Sequence, residues 1–159
     1  MPTPILPPHQ LRLALFQPDQ PQNTGALMRL CACLGLGLDI IEPCGFVLDD
    51  ARLRRVAMDY GQLAQPTRHR DWESFLAQTG PRRLVLLTTR ADMPYTQCAY
   101  RTDDILLLGQ ESAGVPEEIH NAVTLRVLVP LAPPARSLNI GMAAAIVASE
   151  AIRQLGIPN

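Results

Sequence analysis

Three short segments of this 159-residue chain hold side chains that can bind an anion, a ribose or a polar cofactor group. In the first, Gln17-Pro18-Asp19-Gln20-Pro21-Gln22-Asn23-Thr24-Gly25, a polar loop runs into a helix that carries Arg29. Backbone amides at the helix start, Asn23 and the Arg29 guanidinium would cluster where an RNA phosphate or ribose docks. A capped helix with a surface arginine fits the same residues. In the second, Gly109-Gln110-Glu111-Ser112-Ala113-Gly114-Val115-Pro116 follows an apolar run, so Glu111 is a carboxylate at a strand's carboxyl end. Gly109 and Gly114 permit positive φ and close backbone approach to a ligand, although an ordinary strand-to-helix turn would use them too. In the third, Pro133-Pro134-Ala135-Arg136-Ser137-Leu138-Asn139 stiffens the entry to a helix that Ser137 or Asn139 would cap. An exposed helix start there would also receive an anionic or polar group, with Arg136 beside it.

Several other chemistries are excluded by residue type. Gly35-Leu36-Gly37 leads into a strand and lacks the third glycine of a dinucleotide fingerprint. The glycines at 109 and 114 have phosphate-loop spacing, but Val115-Pro116 follows them, and every basic residue in the chain is arginine. Ser112 has Gln110 two residues before it, so it sits in no nucleophile elbow. Kinase, nicotinamide dehydrogenase and α/β-hydrolase readings fall with these motifs. Cys31, Cys33, Cys44 and Cys98 form no Cys-x-x-Cys pair and His9, His69 and His120 are isolated from them, so no metal is expected. The thiols read as buried and reduced.

The elements that position the three loops are legible as apolar runs alternating with helix-like stretches. Strands are expected at 11–16 (LRLALF), 38–42 (LDIIE), 83–88 (RLVLLT), 104–108 (DILLL) and 125–129 (LRVLV). Helices are expected at 23–34, with Asn23 as N-cap and Gly35 as stop, and at 50–58, 71–78 and 116–121. The last helix runs from about 138 to 155 and is stopped by Gly156 and Pro158. This alternation specifies an α/β fold, a mainly parallel sheet flanked by helices. Ligands of such sheets sit beyond the carboxyl ends of the strands, where all three loops and residues 88–90 fall. Residues 1–10, with four prolines, read as a flexible lead, and 11–159 as a single domain.

Composition bounds the partners. Apolar residues are 47% and charged residues 18%, which excludes intrinsic disorder. The net charge of -1 excludes a generally basic nucleic-acid coat but permits a local basic face. No apolar run approaches the ~20 residues of a membrane span, and the N-terminus has no signal-peptide pattern. A soluble, cytoplasmic protein with no membrane partner is expected.

Taken in order, N-T-G-x-x-x-R (Asn23 to Arg29), G-x-E-S-x-G-V-P (Gly109 to Pro116) and R-S-L-N (Arg136 to Asn139) resemble the SPOUT superfamily of RNA methyltransferases. The resemblance extends to Ile41-Glu42-Pro43 and to LRRVAMDY at 53–60. The short chain looks most like the tRNA wobble-position 2'-O-methyltransferases. Ala113 and Gly141 depart from the pattern, standing where relatives often carry a polar or charged residue and a serine.

The resemblance implies a deep C-terminal trefoil knot and S-adenosylmethionine bound in a bent form. It implies cofactor contacts near Leu87, Thr88, Gly109, Val129, Leu131, Ser137 and Leu138. It further implies a reaction site of Arg29, Asn23, Glu111, Ser137 and Asn139, with Arg29 activating the ribose hydroxyl. A homodimer through the 23–34 helix and the C-terminal helix would present the tRNA anticodon stem-loop with arginines such as Arg52, Arg54 and Arg55. Ala143, Ala144, Ala145, Ala148 and Ala151 would let a second helix approach. The rival readings are a 2'-O-methyltransferase for another tRNA position or ribosomal RNA, and a non-catalytic RNA-binding module of the same fold.

Overall fold

A computed structural model of the chain describes residues 10–49, 51, 55, 59 and 65–156. Seven strands form one sheet, β1 (Arg12–Phe16), β2 (Gly37–Ile41), β3 (Thr67–His69), β4 (Leu84–Leu87), β5 (Met93–Pro94), β6 (Ile105–Leu108) and β7 (Leu125–Leu128), in the order β3-β2-β1-β6-β4-β7-β5. Every strand pair is parallel. Helices α1 (Pro21–Leu34), α2 (Trp72–Thr79), α3 (Glu117–Ala122) and α4 (Ile140–Leu155) cover its two faces.

Alternation along the strands divides the core. Leu13, Leu15, Leu106 and Leu108 pack with Leu27, Met28 and Cys31 of α1 and with Ala144, Val147, Ala148 and Ala151 of α4. Ala14, Phe16, Ile105 and Leu107 point the other way, to Phe75 of α2 and Ile119 of α3. In β2 the buried Asp39 accepts from Arg12 Nε at 2.6 Å and contacts His69 Nε2 at 2.8 Å, tying three strands together. A Cβ at Gly37 would lie 2.1 Å from the Arg12 guanidinium, so a larger residue there would displace this clamp.

The structure moves several expected boundaries. α1 begins at Pro21 with Gln20 as N-cap, not at Asn23, since proline's fixed φ suits the first helical position. Asn139 caps α4, which starts at Ile140, while Pro116 caps α3 from outside instead of opening it. β3 and β5 were not expected from sequence. They are the two sheet edges, three and two residues long, and β5 ends in a proline, which edge strands tolerate. The expected 50–58 helix, the 53–60 motif, the 1–10 lead, Arg52 and Arg54 lie largely or wholly outside the described residues; Ala51, Arg55 and Asp59 are helical and exposed. Of the thiols, Cys31 and Cys98 are buried as expected, but Cys33 is exposed and Cys44 half-buried. Burial pushes the Cys31 thiol up to about 12, so it is a packing residue. Among the described residues there is no cluster of metal-ligating side chains and no helix long and apolar enough to cross a membrane.

Candidate active site

The four central strands β1, β6, β4 and β7 are adjacent and parallel, so the loops that leave their carboxyl ends converge. They enclose a cavity of about 560 Å³, within the size range of a small-molecule site. Its interior is walled by Leu86, Leu108, Val127 and Val147, and its mouth by Gln20, Asn23, Glu111, Ser137 and Asn139. Leu87, Thr88, Gly109, Val129, Leu131 and Leu138 also line it. Thus every residue that the sequence singled out for the site, except Arg29, lies on one cavity.

Each loop is held there by a local device. Gly109 must be glycine, because a Cβ would sit 2.6 Å from the Gly114 backbone. The two ends of that loop pair antiparallel, Gln110 N–H to Gly114 O and Gly114 N–H to Gln110 O, both at 2.9 Å. Gly114 closes the turn at φ 66°. The two glycines therefore serve close approach and positive φ respectively, and the partner in the close approach is the loop itself.

The amino ends of α1 and α4 are joined by a chain of amides. Asn139 Oδ1 accepts from Gly141 N at 2.9 Å and Met142 N at 3.3 Å. This fixes the direction of the amide, so Asn139 Nδ2 donates to Asn23 Oδ1 at 3.0 Å. Asn23 Nδ2 in turn donates to Gln20 Oε1 at 3.3 Å. Asn139 is accordingly both the cap of α4 and a wall of the cavity, and Ser137 has no part in the cap. Two helix starts, with their partial positive charge, face the same mouth.

Glu111 is half-buried and carries the site's most unusual electrostatics. Its Oε2 accepts from Asp19 N at 3.2 Å, which sets its carboxyl beside that of Asp19. Burial, then the Asp19 carboxyl, raise Glu111 above the usual carboxylate range. Glu111 and then Ser112, whose hydroxyl donates to Asp19 Oδ2, hold Asp19 below it. At the opposite rim Arg90 donates to both Glu117 oxygens at 2.9 and 3.1 Å, an exposed bidentate pair.

Arg29 does not line the cavity. It lies eight residues into α1 from Pro21, about 12 Å along the axis, and is exposed. Arg136 is exposed before α4. The sequence reading missed Asp19, Gln20, Arg90 and His120. Asp19 and Gln20 stood in the first polar loop without a reason to prefer them, and His120 lines the cavity from a helix whose facing was not assigned.

A profile of the SpoU rRNA methylase family matches residues 10–149. A tRNA (cytidine(34)-2'-O)-methyltransferase of Beijerinckia indica subsp. indica is 54% identical over 147 residues, 91% of this chain and 91% of that protein. A solved structure bearing on 2-OH methylation of C/U34 on tRNA has a TM-score of 0.85 at 36% identity, covering 92% of this chain and 97% of that one. An AdoMet-bound rRNA methyltransferase of Sinorhizobium meliloti has a TM-score of 0.77 at 26% identity, covering 96% of this chain and 59% of its own.

Proposed function

The chain belongs to the SpoU rRNA methylase family, and from that membership we propose that it methylates the ribose 2'-hydroxyl of the tRNA wobble nucleotide with S-adenosylmethionine as donor. The observation that carries the reading is the single cavity into which all three sequence loops deliver side chains, in a chain like the wobble-position relatives over nine-tenths of its length.

The cavity suits the donor. Its apolar interior accepts a stacked base, strand-end backbone groups at Leu87, Gly109 and Val129 offer hydrogen bonds, and Ser137 and Leu138 close the mouth. When bound, S-adenosylmethionine would supply an electrophilic methyl group on a positively charged sulfur. The chain's part is to place the 2'-oxygen behind that methyl carbon and to let the hydroxyl proton pass to solvent at the open mouth as the new bond forms. Asn23 and Asn139, already locked to each other, present fixed polar groups at the mouth for the ribose. Long helical side chains lean towards the amino end of their helix, and we place Arg29 at the substrate on that ground. A guanidinium is a poor base, so the role given to Arg29 is to grip a substrate phosphate and to stabilise the developing alkoxide. Calorimetry with S-adenosylmethionine tests the reading, and no binding at millimolar cofactor would favour a non-catalytic RNA-binding module.

The homodimer, the trefoil knot and the cytoplasmic setting belong to the same reading. The alanine set does not carry the dimer. Ala144, Ala148 and Ala151 are fully buried against the chain's own core, and Ala143 lines the cavity. The exposed apolar residues of this region are Leu138, Met142 and Ile146, at 39%, 64% and 36% exposure. α1, which packs on α4, leaves Gln22, Ala26, Arg29 and Cys33 exposed. A second copy covering these faces would bury the apolar row and bring Arg55 of one subunit towards the substrate of the other. The double variant Met142→Glu/Ile146→Glu is expected to move the light-scattering mass from twice 17.4 kDa to 17.4 kDa, with loss of methyl transfer. A wild-type protein active as the monomer would refute the dimer.

A further inference from the structure

The Asp19 carboxylate is a feature that the proposed reaction leaves unexplained. It sits at the turn after β1, and its Oδ1 is buried with no donor among the described residues. Its other oxygen is taken by the Ser112 hydroxyl. Asp19 N–H donates to Glu111 Oε2 at 3.2 Å, which sets the Glu111 carboxyl beside that of Asp19. Two ionised carboxylates in contact repel, and neither can donate to the other. One proton resolves both problems, giving the pair an O–H···O⁻ bond and supplying the missing donor. The position is also fixed from behind, since a Cβ at Gly45 would lie 2.7 Å from Asp19 Cβ, and Gly45 N–H donates to Pro18 O at 2.9 Å.

We propose that Asp19 is a positioning residue for methyl transfer, holding Glu111 at the cavity mouth as a neutral acid through one shared proton. This rests on the methyltransferase reading for its consequence but not for its geometry. A neutral Glu111 keeps the mouth at one negative charge. That charge complements a cationic donor without setting a second carboxylate against the phosphates of an RNA. The pair also latches the loop after β1 to the loop after β6, across 92 residues of sequence. The other titratable groups lining the cavity are His120 and Arg90, the latter engaged by Glu117.

The neutral form of Glu111 is present below its folded pKa and is lost as pH rises through it. In Asp19→Asn the like charge is gone and an amide N–H can donate to an ionised Glu111, so that loss moves to lower pH. The test is ¹³C-carboxylate NMR titration of Glu111 in the whole protein, alongside single-turnover pH–rate profiles. In the wild type Glu111 is expected to titrate above the ordinary carboxylate midpoint. In Asp19→Asn both the titration and the alkaline limb of the rate profile are expected to shift to lower pH. The neutral-pH rate is expected to fall about tenfold or more, with cofactor Kd within about twofold. Asp19→Glu, which keeps a carboxyl, is expected to restore the wild-type limb. An ordinary Glu111 midpoint in the wild type would overturn the proposal. So would a slow Asp19→Asn whose Glu111 titration and alkaline limb are both unmoved, which marks a merely structural role. If the wild type methylates no tRNA, the functional reading fails while the NMR titration still decides the shared proton.

Discussion

Arg29→Ala is expected to lower single-turnover methyl transfer by roughly 10²–10⁴-fold, the range for a positioned proton-transfer or oxyanion group. Folding should be unaffected, because the side chain is exposed on the outer face of α1 and exposed substitutions usually change stability by less than about 0.5 kcal/mol. Cofactor affinity should be unaffected as well, since Arg29 does not line the cavity. The loss therefore falls on the chemical step or on RNA placement, and single-turnover rates at saturating tRNA separate the two. Arg29→Lys keeps the charge without the planar fork, and its pH–rate profile distinguishes the electrostatic role from a base role. A rising limb displaced from the wild type's would favour the base. An Arg29→Ala enzyme retaining more than about a tenth of the wild-type rate would remove Arg29 from the mechanism.

The second large effect lies at the opposite end of the sheet. Asp104 precedes β6 and is fully buried. It accepts from Arg83 Nε at 2.8 Å, from Arg83 Nη2 at 2.7 Å and from Arg101 N at 2.8 Å. Arg83 is itself only 13% exposed at its side chain. Asp104→Ala removes both carboxylate bonds of the half-buried Arg83 guanidinium, which keeps Ala99 O at 2.7 Å, and leaves the Arg101 N–H without its acceptor, at a cost of about 3–5 kcal/mol. For a chain of this size the melting temperature should fall by roughly 6–20 °C, measurable by calorimetric or denaturant unfolding. Below the new transition the rate should be near wild type, because the strand's other end, at Leu108, faces the cavity. A shift under about 1 kcal/mol would mean that the pair is not the buried clamp described.

The central sheet was legible because LVLL and ILLL are continuous apolar runs, as strands covered on both faces require. The same argument had no hold on Thr67–His69 or Met93–Pro94, which are too short and polar to show a period. The loops were legible as irregular polar segments at strand ends, and all three do line one cavity. Their mutual contacts were not. Asn23 meets Asn139 across 116 residues and Asp19 meets Glu111 across 92, pairings that no local pattern encodes. The alanines of α4 show the limit most clearly: small residues suit a dimer seam and a tight core equally, and the buried face took Ala144, Ala148 and Ala151. Arg29 was singled out by motif, but the motif assigns no facing, and on α1 it is exposed and does not line the cavity.

The most direct test of the proposed activity is to incubate the purified protein with S-adenosylmethionine and tRNA transcribed without modifications, then map 2'-O-methyl groups nucleotide by nucleotide by mass spectrometry. The proposed function predicts one new methyl group, on the ribose of the wobble nucleotide, position 34 in the naming of the relatives, formed far more slowly with Arg29→Ala. Methylation confined to another position, to a base or to ribosomal RNA would contradict it, as would cofactor binding without any methyl transfer to tRNA.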